Sequence, residues 1–272
     1  MGAATIDRPV AAQVPASYLL HLADNALVLG QRNAEWCGHG PILEEDIAMA
    51  NVSLDLIGQA RLLYQEVAQR IGGEVTEDTL AYFRDAPEFR NYTLVELPHR
   101  IGLVGYAQSD LDYSVTLVRN FLYGTLMVLV WDALQRSRDE ALAAIAAKSL
   151  KEASYHLRHA RDWLVRLGDG SDESHGRMQA ALDHLMPYTD EFWSDSALET
   201  DALQSGAGVD VRSLRERWDA IVDDALAEAT LQRPAAQRHY ITQGKSGIHS
   251  EHLSFLLAEM QSLARAHPGA TW

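Results

Sequence analysis

The sequence lacks the features that mark several large classes of protein. A single cysteine, Cys37, excludes an intrachain disulfide framework and favours a reducing compartment, so we expect a cytoplasmic protein. No apolar run is long enough to span a bilayer, and the polar start of the chain lacks the apolar stretch of a secretion signal. A Gly-rich phosphate loop, a nucleophile elbow and a CxxC pair are also missing.

Positive charge is scarce as well. The 272 residues carry 23 Lys and Arg against 38 Asp and Glu, which gives a formal net charge of −15. This excess of negative charge disfavours nucleic acid and anionic membrane surfaces as partners. A small anionic ligand stays open, because a local cluster of Arg and Lys can oppose the global sign.

What the chain does have is apolar periodicity, which predicts an all-α protein. Four long helices are predicted at about 17–36, 44–71, 102–136 and 140–168. The short connections between them indicate antiparallel neighbours, so we predict a four-helix bundle over 17–168. Further helices are predicted at about 173–194, 210–232 and 247–266. We place the helices in one domain over 16–272, behind a mobile, Ala- and Pro-rich segment at 1–15.

The fourth helix carries the first chemical candidate. Glu152 and His156 lie one turn apart on one face, and His159 follows three residues later. An inward carboxylate and imidazole make up half of a diiron-carboxylate site. Such a site needs one Glu from each of two helices and a Glu-x-x-His pair from each of two others. Here the spacing is Glu-x-x-x-His, so the motif is shifted.

A complete diiron motif is not found elsewhere in the sequence. An acidic residue stands three positions before a histidine only at Glu96–His99, which contains Pro98, and at Asp172–His175, which lies in a Gly-rich loop. Two irons with too few carboxylates would leave positive charge uncompensated in an apolar core. A hydrogen-bonded network is therefore the favoured interpretation of Glu152 and His156.

A second candidate lies near the end of the chain. His249 and His252 share a helix face, with Glu251 and Glu259 nearby, and one more ligand would complete a zinc site. Two-ligand signals are weak, and His249 is predicted near a helix N-terminus. We therefore interpret this cluster as exposed polar residues beside an apolar stripe.

Basic residues on the fourth helix form a third candidate. Arg158, Arg161 and Arg166, with His159, have the chemistry to clamp a phosphate or a partner's carboxylate. A solvated helix face is the default interpretation, and the spacing does not separate the two.

Three further side chains are assigned without a specific role. Tyr155 and Trp163 are interpreted as core residues. Cys37, between Trp36 and His39, has no arrangement that would activate its thiol.

Four segments together carry a resemblance to a known family. They are LADNALVLGQRNAEWCGHGP, LDLIGQARLLYQ, AAKSLKEASYHLRHARDWL and GKSGIHSEHLSFLLAEMQ. This succession resembles the non-catalytic, structural subunits of the ring-1,2-phenylacetyl-CoA epoxidases, over residues 18–272. Those enzymes are the multicomponent monooxygenases of aerobic phenylacetate degradation. The resemblance implies a ferritin-like four-helix bundle with additional C-terminal helices. It also implies a homologous catalytic subunit that carries the diiron centre, a reductase and smaller subunits as partners.

The homologous catalytic subunit supplies a comparison of ligand positions. At the six positions that align with the iron ligands of that subunit, this chain has Leu27, Leu56, Gln59, Gly124, Ala153 and His156. Only the histidine would still be a good ligand. The resemblance therefore implies that this chain holds no metal site, no catalytic residue and no cofactor of its own.

These observations predict a metal-free polar network in the bundle. Its members are Asn51, Asp55, Gln59, Glu152 and His156. Such a network can hold the register of the helices without much net stabilisation. The chain would then be a non-catalytic scaffold in an enzyme that epoxidises the aromatic ring of phenylacetyl-CoA with dioxygen and reductant.

Two alternatives remain open from the sequence. One is a diiron oxygenase or oxidase in its own right, with Asp55, Glu152, His156 and His159 as unrecognised ligands. The other is a stand-alone binding protein for an acyl-CoA or an aromatic acid. The isolated chain is also a candidate for a homodimer.

Overall fold

Regular structure in this protein is helical. The computed structural model describes residues 12–102, 111–235 and 242–270, and within them the only β structure is an isolated bridge between Gln243 and Ile248. The helices are α1 Ala16–Ala34, α2 Leu43–Ile71, α3 Glu77–Tyr82, α4 Thr93–Glu96, α5 Tyr113–Leu134, α6 Glu140–Gly168, α7 Asp172–Leu185, α8 Ala197–Gln204, α9 Arg215–Glu228 and α10 Glu251–Ala266. The all-α prediction is confirmed.

The four long helices form a bundle of two hairpins. Helix α1 packs along α2, α5 packs along α6, and α2 of one hairpin contacts α6 of the other. Gly30 marks the close approach inside the first hairpin, because a Cβ there would lie 3.2 Å from the Leu56 Cβ. This is the ferritin-like arrangement that the sequence predicted.

Local signals explain where the bundle helices begin and end. Acidic residues occupy the first turn of α2, and Gly72, at φ 73°, ends it. The Asp139 carboxylate caps α6 by accepting from the Leu142 amide at 3.2 Å. The prediction for α5 is wrong at its start, since the helix begins at Tyr113 behind an Asp112 cap rather than at 102. Residues 103–110 of that prediction lie outside the described residues.

The C-terminal predictions need three corrections. Helix α7 ends at Leu185, and residues Met186–Trp193 continue as a 3₁₀ helix, because Pro187 has no amide hydrogen for an α-helical bond. Helix α8 was missed. Helices α9 and α10 are both shorter than predicted, and the Gly244–Ser246 segment before α10 is a 3₁₀ turn.

The added helices pack directly on the bundle. Helices α7 and α9 lie against α5 and α6, while α8 and α10 contact α1. Gly168, at the end of α6, allows the close approach of α9, since a Cβ there would lie 2.6 Å from the Ala229 carbonyl oxygen. The assignment of all these helices to one domain over 16–272 stays a prediction.

The end of the predicted mobile segment is anchored to the bundle. Residues 1–11 lie outside the described residues, but Val14 is buried. Its amide donates to Asp139 at 3.0 Å, and its carbonyl accepts from Arg70 at 2.8 Å. The prediction of mobility is therefore wrong for the last residues of this segment.

Helix α5 is the most apolar element. It is long and apolar enough to cross a membrane, contrary to the expectation from the sequence, yet 89% of its 18-residue apolar window is buried inside the protein. Helices α4, α6, α7 and α9 all pack against it. Its apolar composition is thus explained by its central place in the core.

Buried charge joins the first hairpin to the segment that follows it. Asp24 of α1 is fully buried and accepts from the Tyr64 hydroxyl at 2.6 Å and from the Arg90 amide at 2.8 Å. The Arg84 guanidinium pairs with the same carboxylate and lies 4.2 Å from the Phe89 ring centroid. A buried ion pair with this many donors is fully compensated.

Candidate functional site

The six aligned ligand positions lie on the four bundle helices. Their residues are Leu27 on α1, Leu56 and Gln59 on α2, Gly124 on α5, and Ala153 and His156 on α6, and all are buried. Four of them carry no donor atom in the side chain, so the donor set does not fit a pair of iron ions. Among the described residues, no group of three His, Cys, Asp or Glu side chains is placed to hold a metal ion.

Polar contacts join α2 to α6 where the two hairpins meet, and we call these contacts the polar seam. The His156 Nε2 lies 2.9 Å from an Asp55 oxygen, and the Gln59 amide donates to Glu152 at 3.0 Å. Lys148 lies 3.3 Å from the other Glu152 oxygen. Four members of the predicted network are thus joined in two pairs across one helix interface.

The seam runs from the solvent into the core. Asn51, Asp55 and Gln59 are four residues apart, and each step of four rotates about 40° around a helix of 3.6 residues per turn. Gln59 is buried, the Asp55 side chain is 41% exposed, and Asn51 is exposed. The prediction that Asn51 belongs to the buried network is therefore wrong.

The protonation state of His156 follows from this setting. Burial lowers the pKa of His156, while the hydrogen bond and charge of Asp55 act against that shift without cancelling it. Because a carboxylate only accepts, a neutral His156 donates its Nε2–H to Asp55. That nitrogen is engaged in the seam.

A second carboxylate, Glu45, extends the seam towards the start of α2. It is buried and accepts hydrogen bonds from the Tyr113 hydroxyl at 2.5 Å, the Trp163 indole at 2.9 Å and the His159 ring at 3.0 Å. Burial first, then Glu45, raises the pKa of Tyr113. This cluster joins α2, α5 and α6.

The Glu45 cluster was missed because each member has an ordinary local explanation. Acidic residues are expected in the first turn of a helix, His159 adjoins a basic run, and Trp163 fits an apolar stripe. The only available signal was the i, i+4 spacing of His159 and Trp163, which puts two hydrogen-bond donors on one face of α6.

The C-terminal cluster differs from its predicted form. The His249 side chain is 3% exposed, with Nδ1 2.8 Å from Glu96 and Nε2 3.0 Å from the Phe89 carbonyl oxygen. His252 is also buried, whereas Glu251 and Glu259 are exposed. The prediction of exposed histidines is wrong because α10 begins only at 251, so His249 lies in a connection packed over α4.

The surroundings of His249 favour its protonated form. Both ring nitrogens face acceptors, and the Glu96 carboxylate has no exposure to solvent. Burial lowers the pKa of His249, but the hydrogen bonds and charges of Glu96, the Phe89 carbonyl and Glu191 outweigh burial, and the net pKa is raised.

The basic run on α6 does not form one clamp. Arg161 pairs with Asp224 at 2.9 Å and Glu228 at 2.7 Å on α9. Arg166 lies 5.0 Å from the ring centroid of Trp163. The Arg161 ion pairs join α6 to α9, which removes Arg161 from any common anion site.

Two side chains that were given no specific role, Tyr155 and Cys37, lie at the surface. Tyr155 is 55% exposed, so its interpretation as a core residue is wrong, and Arg158 lies 5.6 Å from its ring centroid. Cys37 is exposed in the turn after α1.

Fold and site together define a class. The chain is a ferritin-like helical bundle, and at four of the six positions that the resemblance aligns with diiron ligands it has Leu27, Leu56, Gly124 and Ala153. A family model described as phenylacetic acid catabolic protein matches residues 4–272, and the chain belongs to this family. It is 44% identical over 256 residues to the C component of the 1,2-phenylacetyl-CoA epoxidase of Escherichia coli (strain K12), covering 94% of this chain and 98% of that protein. The resemblance read from the sequence is confirmed.

Removing the Glu45 carboxylate is expected to destabilise the bundle strongly. Glu45→Ala leaves the donors of Tyr113, His159 and Trp163 without their acceptor, at a cost of about 2–4 kcal/mol in the free energy of unfolding. Glu44→Ala is the control, because Glu44 lies in the same first turn but is exposed. Urea unfolding measures both, and equal losses would contradict the assigned role.

The His249–Glu96 pair is expected to make stability depend on pH. Because the folded pKa of His249 is raised, its contribution is fully present below the unfolded value of about 6.5 and is lost as pH rises through the folded value. The difference in unfolding free energy between wild type and His249→Gln should therefore shrink from pH 6 to alkaline pH. His39→Gln, at an exposed histidine, is the control. A difference that grows with pH would contradict this assignment.

Proposed function

We propose that this chain is a non-catalytic structural subunit of a 1,2-phenylacetyl-CoA epoxidase. Its role is to scaffold and stabilise a homologous subunit that carries the diiron centre and epoxidises the aromatic ring of phenylacetyl-CoA with dioxygen. The observation that carries the proposal is the donor set inside the bundle. Leu27, Leu56 and Ala153 are buried at positions that the resemblance aligns with iron ligands of the catalytic subunit.

The proposal includes a chain without a cofactor of its own. The alternative ligand set of Asp55, Glu152, His156 and His159 is spread over three separate contacts in the structure. His156 contacts Asp55, Glu152 contacts Gln59, and His159 contacts Glu45. This division supports a structural use of the four side chains over a diiron oxygenase formed by this chain alone.

The seam gives the scaffold a physical basis. Helix α2 and helix α6 belong to different hairpins, and polar contacts have stricter geometry than apolar ones. Asp55, Glu152 and Glu45 therefore fix the register of one hairpin on the other. A bundle fixed in this way presents an outer surface of constant shape to its partner.

The proposal also includes the partners of this chain and the compartment in which the complex assembles. The partners are the homologous diiron subunit, further small subunits and a reductase that delivers electrons. A single exposed cysteine and a strongly acidic surface are compatible with assembly in the cytoplasm. Nucleic acid and membrane surfaces have no part in the proposed role.

Reconstitution tests the proposed role. The catalytic subunit and reductase are assayed for phenylacetyl-CoA-dependent oxygen consumption with and without this chain, and we expect turnover only when the chain is present. His156→Asn in this chain should leave kcat within about twofold, because no reacting atom meets His156, although the complex can lose stability. Oxygen consumption by this chain alone, or loss of kcat in an intact His156→Asn complex, would contradict the proposal.

A further inference from the structure

We propose that one outer face of the bundle, formed by α2 and α6 on one side of the seam, docks a partner subunit. This partner presents apolar side chains bordered by carboxylates. The inference rests on the proposed function, because it assigns to that partner the surface of this chain that it occupies. Its first component is an exposed apolar stripe on α2, and its second is a cationic ridge on α6.

The stripe consists of Leu43, Ile47, Leu54 and Ile57, whose exposures are 71%, 53%, 67% and 38%. The spacing of 43, 47 and 54 puts these side chains on one helix face. Large apolar side chains grouped on one exposed face mark an interaction site more often than isolated ones do. Burying them against a partner removes from water an apolar surface that the chain itself leaves uncovered.

The ridge consists of Lys148, Lys151, Tyr155 and Arg158, all of which are exposed. Arg158 lies against the Tyr155 ring, which holds an aromatic side chain and a cation together at the surface. Tyrosine and arginine are enriched among residues that contribute strongly to protein interfaces.

The seam places stripe and ridge on the same side of the bundle. Asp55 and His156 meet across the interface, and the contacts 55–156 and 59–152 run in opposite directions along the chain. Helices α2 and α6 are therefore antiparallel. Leu54 and Tyr155 each precede a seam residue by one position. Each side chain is therefore rotated by about 100° from that seam residue around its own helix axis, in the same sense relative to the chain direction. On antiparallel helices the same rotation leads to the same side, and the two components form one face.

Charge decides what kind of partner fits this face. The chain has a net charge of −15, yet the ridge offers Lys148, Lys151 and Arg158 beside the apolar stripe. Complementary potentials across an interface steer encounter and exclude wrong partners. Carboxylates bordering an apolar patch on the partner would meet this ridge.

A second copy of this chain is a poor occupant. Two copies packed face to face could be related by a two-fold axis perpendicular to the helices, which would place ridge against ridge and bring cations together. If the two-fold axis were parallel to the helices, the ridge of each copy would face the stripe of the other, and apolar side chains would cover the cations. Like charges in contact cost several kcal/mol, so neither arrangement favours a second copy.

The exposed apolar residues of α10 do not form one continuous stripe. On α10, Leu263 is 56% exposed and Phe255 is 46% exposed, but the exposed Glu259 stands between them. Leu263 therefore supplies a matched control of similar exposure outside the proposed face.

The test measures binding of the full-length chain to the separately purified homologous catalytic subunit. Leu54→Glu should raise the dissociation constant for the catalytic subunit at least about tenfold, because the substitution buries a charge against the partner's apolar surface. Leu263→Glu should leave it unchanged. Circular dichroism and the melting temperature should be those of the wild type in both variants, since both side chains are exposed.

A second pair of variants tests the ridge. Lys151→Glu combined with Arg158→Glu should slow association and reduce its dependence on salt. Arg217→Glu, at an exposed arginine of α9, is the control with the same kind of charge reversal.

The outcomes separate this inference from the proposed function. Binding by wild type that is unaffected by Leu54→Glu and by the ridge variants would overturn the docking surface alone. Loss of binding in Leu263→Glu instead would also overturn it. If sedimentation shows a dimer of the isolated chain that Leu54→Glu dissociates, a second copy occupies the face and the inference is wrong. Absence of binding by wild type would overturn the proposed function itself.

Discussion

A carboxylate buried in a helical bundle must accept several hydrogen bonds, and this requirement holds the parts of the protein together. Asp24 joins the first hairpin to the segment at 84–90, Glu45 joins α2 to α5 and α6, and Glu96 binds His249 and the Ser250 amide ahead of α10 at 2.6 Å. Each acid gathers donors from elements far apart in sequence. Since loss of one partner of a buried pair costs about 3–5 kcal/mol, these acids specify which elements meet.

The interior of the bundle supports the proposal of a ferritin-like fold used without metal chemistry. Leu27, Leu56 and Ala153 are buried apolar side chains, and Asp55, Gln59, Glu152 and His156 lie at the boundary between α2 and α6. There they pair with one another rather than converge on one point. The same pairing fixes both outer helices, so the seam links the packed interior to the face proposed for the partner.

The sequence predicts correctly the helices whose ends are marked by local sequence signals. Helices α1, α2 and α6 were placed within about two residues because Gly72, the acidic turns and Pro41 mark their ends. The start of α5 was missed because apolar residues continue N-terminal to its Asp112 cap, and Pro187 was overlooked. In the site, the spacing of Asp55, Gln59, Glu152 and His156 singled out side chains that do meet, but the rotation of the helix turned Asn51 to the solvent. The contacts of Glu45 and His249 come from distant segments, so the local sequence around each residue does not identify its partners.

The central claim is that the inner face of this bundle holds no diiron centre. The most direct measurement is the iron content of the purified chain, expressed alone in medium supplied with iron. The account predicts essentially no bound iron in a folded helical protein, because four of the six positions aligned with diiron ligands carry no ligating side chain. About two irons per chain, the stoichiometry of a dinuclear carboxylate site, would contradict it and would assign chemistry to this chain.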